Sequence, residues 1–228
     1  MKLVRKGHRQ SHRGVIGVES AIVMIAFVIV AAALAFVVLN MGFSTTQRAK
    51  TAIVSSLEES SSALEIAGKI TASGDVSPTG KLNVTAVPVK LASGGSSVNL
   101  GNTTMAVKYF SNTVEYDNIM SGVLSSGTYS NLTTAMTAAV SAGYINVNPI
   151  TSNTAVSETT AVVYFAVNRN DNSILDQGEH AIIAVVHAGS ERPQALDNIK
   201  IEVIVPTGSP LTVERLVPNI THPIVDLG

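Results

Sequence analysis

The chain has 228 residues, 46% of them hydrophobic, with 4% aromatic, 14% charged and no cysteine, which bounds it at one ordinary domain plus an extra element and excludes disulfides and thiolate metal sites. Its formal net charge of -1 hides a segregation: Lys2, Arg5, Lys6, Arg9 and Arg13 form a basic block at the start, and the remainder carries an acid excess. That basic block has no interleaved aromatic residue and is too small to neutralise a phosphate backbone, so the reading is against nucleic acid as a partner.

From Ile16 to Met41 the sequence has a single charge, Glu19, and from Ala21 to Leu39 it has no polar side chain. Such a run has no second face, which rules out a half-buried strand, and as a helix rising about 1.5 Å per residue it covers the ~30 Å of a bilayer's hydrocarbon core. The basic block before it keeps residues 1–14 in the cytoplasm and sends the body outward. An ordinary secretory signal fits less well. The apolar run exceeds an h-region, and no small-x-small site precedes a change to loop-like composition.

The order His8-Arg-Gln-Ser-His-Arg-Gly14, then Val15-Ile-Gly-Val-Glu19-Ser and the apolar helix, resembles the class III signal peptide of the type IV pilin and archaellin superfamily. The resemblance implies that a prepilin-type signal peptidase cuts between Gly14 and Val15, leaving the whole helix on the mature chain with Gly17 third and Glu19 fifth. It also gives Gly17 and Glu19 a part in assembly, with Glu19 meeting the Val15 amine of an adjacent copy. A carboxylate in a membrane helix is costly near the centre and cheap at the interface. Position alone therefore leaves Glu19 open between an interfacial residue and an assembly residue.

Beyond Gly42 the helical period continues. Ala49, Ala52, Ile53, Ser56, Leu57, Ser60, Ala63, Leu64 and Ala67 recur at three- and four-residue steps, and Glu65 with Lys69 forms an i,i+4 pair. Gly68, Gly74 and Pro78 mark the end. The reading is a single helix over 15–70, apolar on all sides in its first half, which outside lipid must be buried among copies of itself. The junction Leu39-Asn-Met-Gly-Phe-Ser-Thr-Thr-Gln-Arg-Ala-Lys50 is similar to that of archaellins. This likeness places the chain with the swimming filament, and an adhesion pilin is the alternative; Glu19 is the feature more typical of pilins. A singly anchored surface protein that never polymerises is the remaining rival.

Over 75–228 the pattern turns to short period-2 runs between Gly, Pro, Asn and Ser. Strands are expected at 81–89, 103–110, 161–167, 181–187, 199–205 and 211–217, with a short helix at 132–142 and the 181–187 strand central. These runs argue for an antiparallel, immunoglobulin-like β-sandwich, so the fold class is α+β with a long N-terminal helix. Archaellin outer domains are of this kind.

Within Asn168–Glu179 lie enough oxygen ligands for a calcium ion, with Asp171, Asp176 and Glu179 as its acids, but the spacing is not that of an EF-hand and a polar turn is the simpler expectation. N-glycosylation sequons stand at Asn83, Asn102, Asn131 and Asn219, a number that the Asn, Ser and Thr content produces by chance. The archaellin resemblance implies that some carry N-linked glycans. No His spacing suits a metal, and Gly74–Leu82 fails as a P-loop because Leu82 stands where Ser or Thr must hold magnesium. The chain reads as a structural subunit with no active site and no required cofactor. Its expected partners are identical or paralogous copies, the signal peptidase, the membrane before assembly, and a membrane platform and motor.

Overall fold

The computed structural model describes residues 13–60, 64–77, 80–152 and 156–228. The basic residues before Arg13, Ala63 of the helical stripe, and Pro78 lie outside them. The chain divides into two compact units, Met1–Ser55 and Ser56–Gly228.

The first unit is one helix. α1 runs Arg13–Ser60, 48 residues, about 72 Å at ~1.5 Å per residue. Gly14 and Val15 lie in its first turn. Its end differs from the expected 15–70, because Leu64–Ile66 is not helix but strand β1. Serines at 60, 61 and 62 are poor helix formers, whose hydroxyls compete for the backbone. Leu64 and Ile66 alternate as well as they fit a helical step, and tertiary pairing decides between the two. Leu64 is buried in the sandwich core, and Glu65 reaches Lys90 across the strand pair at 2.8 Å instead of Lys69 along a helix. Lys69 pairs with Asp226.

The second unit holds β1, β2 (Thr71–Asp75), β3 (Lys81–Leu91), β4 (Val98–Asn99), β5 (Ala106–Phe110), β6 (Glu115–Tyr116), β7 (Met120–Leu124), α2 (Leu132–Ser141), β8 (Thr160–Val167), β9 (Ile174–Leu175), β10 (His180–Val186), β11 (Asn198–Ile204), β12 (Leu211–Leu216) and β13 (Ile224–Asp226). All six expected strands and the short helix are present, with ends shifted by one to three residues. β1 and β2 put the start of the sandwich ahead of residue 75.

The larger sheet runs β13-β2-β3-β10-β8-β7, with β1 also on β3, and the smaller runs β12-β11-β5-β6. One contiguous core draws Val87, Phe165, Ile183 and Val185 from the first and Val107, Tyr109, Ile201 and Val203 from the second, so the two sheets pack face to face. β10 is central, as its unbroken apolar run requires, because the larger sheet is buried on both sides. Its second face, with Val162, Tyr164, Ala184 and Val186, packs on Ala135, Met136 and Ala139 of α2.

Among the described strands, all pairings but one are antiparallel. β7 pairs parallel with β8. Parallel neighbours cannot be joined by a hairpin, and α2 supplies the crossover. The helix starts on Asn131, whose side chain accepts from the Thr134 amide at 2.8 Å.

Candidate assembly helix and head sites

From Gly17 to Leu57 α1 is exposed at every position, 41 residues long and apolar enough to cross a membrane. Ile22, Met24, Phe27, Phe36, Leu39 and Phe43 each keep more than half of their surface open. The outer half is more polar, with Gln47, Arg48 and Lys50 among its exposed residues. The hydroxyls of Thr45, Thr46 and Thr51 donate to the carbonyls of Met41, Gly42 and Gln47 one turn back, at 2.8 to 3.0 Å. Glu19 is exposed on the same helix, one turn from Val15. Gly17 has nothing within 4 Å of where a Cβ would stand.

The polar loop 168–179 joins β8 to β10 as a turn closed by its own donors. Buried Glu179 accepts from the Arg169 amide at 2.7 Å and from the Asp176 amide at 3.0 Å, one on each carboxylate oxygen. Asp176 accepts from Ser97 Oγ at 2.5 Å and from Asn170 Nδ2 at 2.6 Å. Asn168 Oδ1 takes the Asp171 amide at 3.0 Å, and Asp171 sits in the left-handed region at φ 52°. Asp171, Asp176 and Glu179 do not converge, and no group of three or more His, Asp or Glu suited to a metal occurs among the described residues. The side-chain oxygens of Asn168, Asn170, Asn172 and Glu179 accept from the loop's own N–H groups, and those of Asp176 from Ser97 and Asn170.

The four sequons separate by burial. Asn102, Asn131 and Asn219 are exposed. Asn83 is not an available acceptor in the folded head: it is 2% exposed within β3, and its Nδ2 donates to the Pro149 carbonyl at 3.2 Å. A sequon inside an alternating strand has even odds of facing the core, and here the larger sheet has no solvent face at that position.

Sequence reasoning missed a polar site between the sheets. His187 directly follows β10 and is fully buried, with Nε2 2.9 Å from Thr85 Oγ1 on β3 and its ring against Tyr109 of β5 at 5.3 Å between centroids. Burial and, secondarily, the Arg192 guanidinium hold its pKa down to about 3. Nearby, Glu191 accepts from Tyr116 Oη at 2.7 Å and Thr159 Oγ1 at 2.6 Å. The only sequence signal was a histidine ending a strand of buried residues.

A long exposed apolar helix joined to a weakly charged sandwich is the pattern of a subunit that must be buried in lipid or among copies of itself. The archaeal-type flagellin family model matches residues 14–215, and the chain belongs to that family. A probable flagellin 1 of Aeropyrum pernix is 35% identical over 210 residues, covering 90% of this chain and 92% of that protein. The fold is similar to archaeal flagellin FlaB1 from Methanocaldococcus jannaschii, with TM-score 0.56 and 13% identity over 72% of this chain and 95% of that one. It is also similar to the archaeal flagellum of Methanospirillum hungatei strain JF1, with TM-score 0.53 and 21% identity over 93% and 99%. The protein is thus a structural subunit of the extracellular archaeal flagellum filament, which serves motility, and the adhesion-pilin alternative gains no support.

Proposed function

We propose that the subunit is made as a membrane precursor, cut between Gly14 and Val15 by a prepilin-type signal peptidase, and transferred from lipid into a bundle of identical or paralogous helices. The observation that carries this reading is the exposure of α1 at every position from Gly17 to Leu57. In water that surface is untenable, and lipid or copies of the same helix are the two environments that bury it. Packing against copies is heterologous and repeats without closing, which yields a filament.

Cutting after Gly14 creates an ammonium at Val15, one helical turn from Glu19. Within one copy the two lie on one helix; between copies the Glu19 carboxylate neutralises the neighbour's Val15 amine, so that neither charge enters the bundle unpaired. A membrane platform and a separate motor supply insertion and torque. N-linked glycans on exposed sequons complete the surface.

The test is a strain lacking only this gene, complemented with the wild-type gene or with Gly14→Val. Wild type restores filaments and swimming, with Val15 as the first residue by mass spectrometry. The variant leaves an uncut chain in the membrane fraction and restores neither. Filaments built from chains that keep residues 1–14 would overturn the maturation step.

A further inference from the structure

We propose that His187 is an acid-sensitive lock between the two sheets of the head, holding them together while uncharged and releasing them when it gains a proton. The imidazole touches both layers at once: Thr85 on β3 of the larger sheet through Nε2, and Tyr109 on β5 of the smaller sheet through a tilted ring contact. Thr85, Tyr109 and His187 are each at 0% exposure, and the His187 amide is fixed on the Asn83 carbonyl at 3.0 Å. The lock therefore sits in the dry centre of the sandwich, where neither sheet can shift without disturbing it.

The charged and titratable groups around it are Tyr109 on β5 and Arg192 in the segment after β10, with Glu191 and Asp197 acting on Tyr109 from beyond. Arg192 Nε and Nη2 are buried, and among the described residues no carboxylate lies within 4 Å of either Arg192 or His187. A proton on His187 would therefore place a second cation beside Arg192 in a site stripped of water, which the folded head resists. The unfolded chain offers the same imidazole an ordinary pKa of about 6.5, against about 3 in the folded head. Between those limits the unfolded state binds more protons. The stabilisation is whole above about pH 6.5 and is lost as pH falls toward 3, by up to roughly tenfold in the folded-to-unfolded ratio per pH unit.

α1 contains no histidine between Gly17 and Leu57. On the proposed reading that α1 forms the filament core, the Glu19 carboxylate is the acid-sensitive group of the core and His187 that of the head, so head opening and fibre loss are followed separately.

The experiment follows hydrogen exchange of peptides from β8 and β10 between pH 7 and 3, in sheared filaments and in the detergent-held subunit. In wild type these peptides should lose protection on acidification, in sheared filaments and in the detergent-held subunit alike. His187→Gln keeps a hydrogen-bonding group toward Thr85 but cannot charge, and its opening midpoint should fall by at least one pH unit. If that variant fails to fold, Arg192→Gln keeps the histidine and removes the second cation, which should also lower the midpoint. Midpoints equal to wild type in the folded variants would overturn the lock. A subunit that opens as described in detergent but never forms fibres would uphold the lock and count against the filament-core reading alone.

Discussion

The ring of Tyr144 fills the space where a side chain on Gly122 would begin: a Cβ at residue 122 would overlap the ring atoms Cδ1, Cε1 and Cζ. Gly122 lies in β7, an edge strand of the larger sheet, and the ring is held there by its neighbours. The Ser121 hydroxyl donates to the Tyr144 carbonyl at 3.0 Å, and the Tyr144 amide donates to Ala139 at the end of α2 at 2.9 Å. An aromatic ring over a glycine also blunts an edge strand that would otherwise pair with a foreign chain.

Gly122→Ala must displace that ring. Overpacking of this kind costs about 1–3 kcal/mol, and the expected result is a lower melting temperature by circular dichroism of the detergent-held subunit. Tyr144→Ala in the same chain should return part of the loss. A Gly122→Ala protein as stable as wild type would show that the ring swings aside freely.

Removing the charge from Glu179 should loosen the 168–179 loop. Its carboxylate accepts two backbone N–H groups while fully buried, and hydrogen bonds to a charged partner contribute roughly 1.5–3 kcal/mol. Glu179→Gln leaves one oxygen in place and should lower stability by about that amount. Adding calcium or a chelator should leave the wild-type melting temperature unmoved. A rise of several degrees with calcium would instead establish a cation at this loop.

Glycan occupancy should follow burial. Intact glycopeptides from purified filaments are expected at some or all of Asn102, Asn131 and Asn219 and at none of the Asn83 copies. A modified Asn83 would mean that glycans are attached before the head folds, and that the folded core then accommodates the first sugar.

The long-range order of the head was legible where one residue pattern admitted one answer. β10 could be placed at the centre because Ile182, Ile183, Val185 and Val186 leave no face for solvent. β2 and β7 were not legible, for a shared reason. Thr71-Ala-Ser-Gly-Asp75 and Met120-Ser-Gly-Val-Leu124 carry small residues and a glycine, and each is a strand only because a neighbour lies over it. At Gly74 a Cβ would stand 2.7 Å from Ile220. At Leu64 both periods fitted, and only the partner strand could decide. The candidate helix was readable almost entirely, because an apolar run of that length leaves so few alternatives. His187 was not, since nothing in a strand-ending histidine announces that its contacts span two sheets.

The pairing of Val87 with Ile183 in the middle of the larger sheet joins segments separated by roughly a hundred residues, and Ser73 with Ile224 spans still more chain. Contacts so distant form slowly, whereas the turns of α1 close on themselves within a few residues. On the proposed path, the order of events during synthesis follows. The helix is complete and seated in lipid while the head is still an open chain, so the part that will polymerise is ready first and the outward surface is finished last.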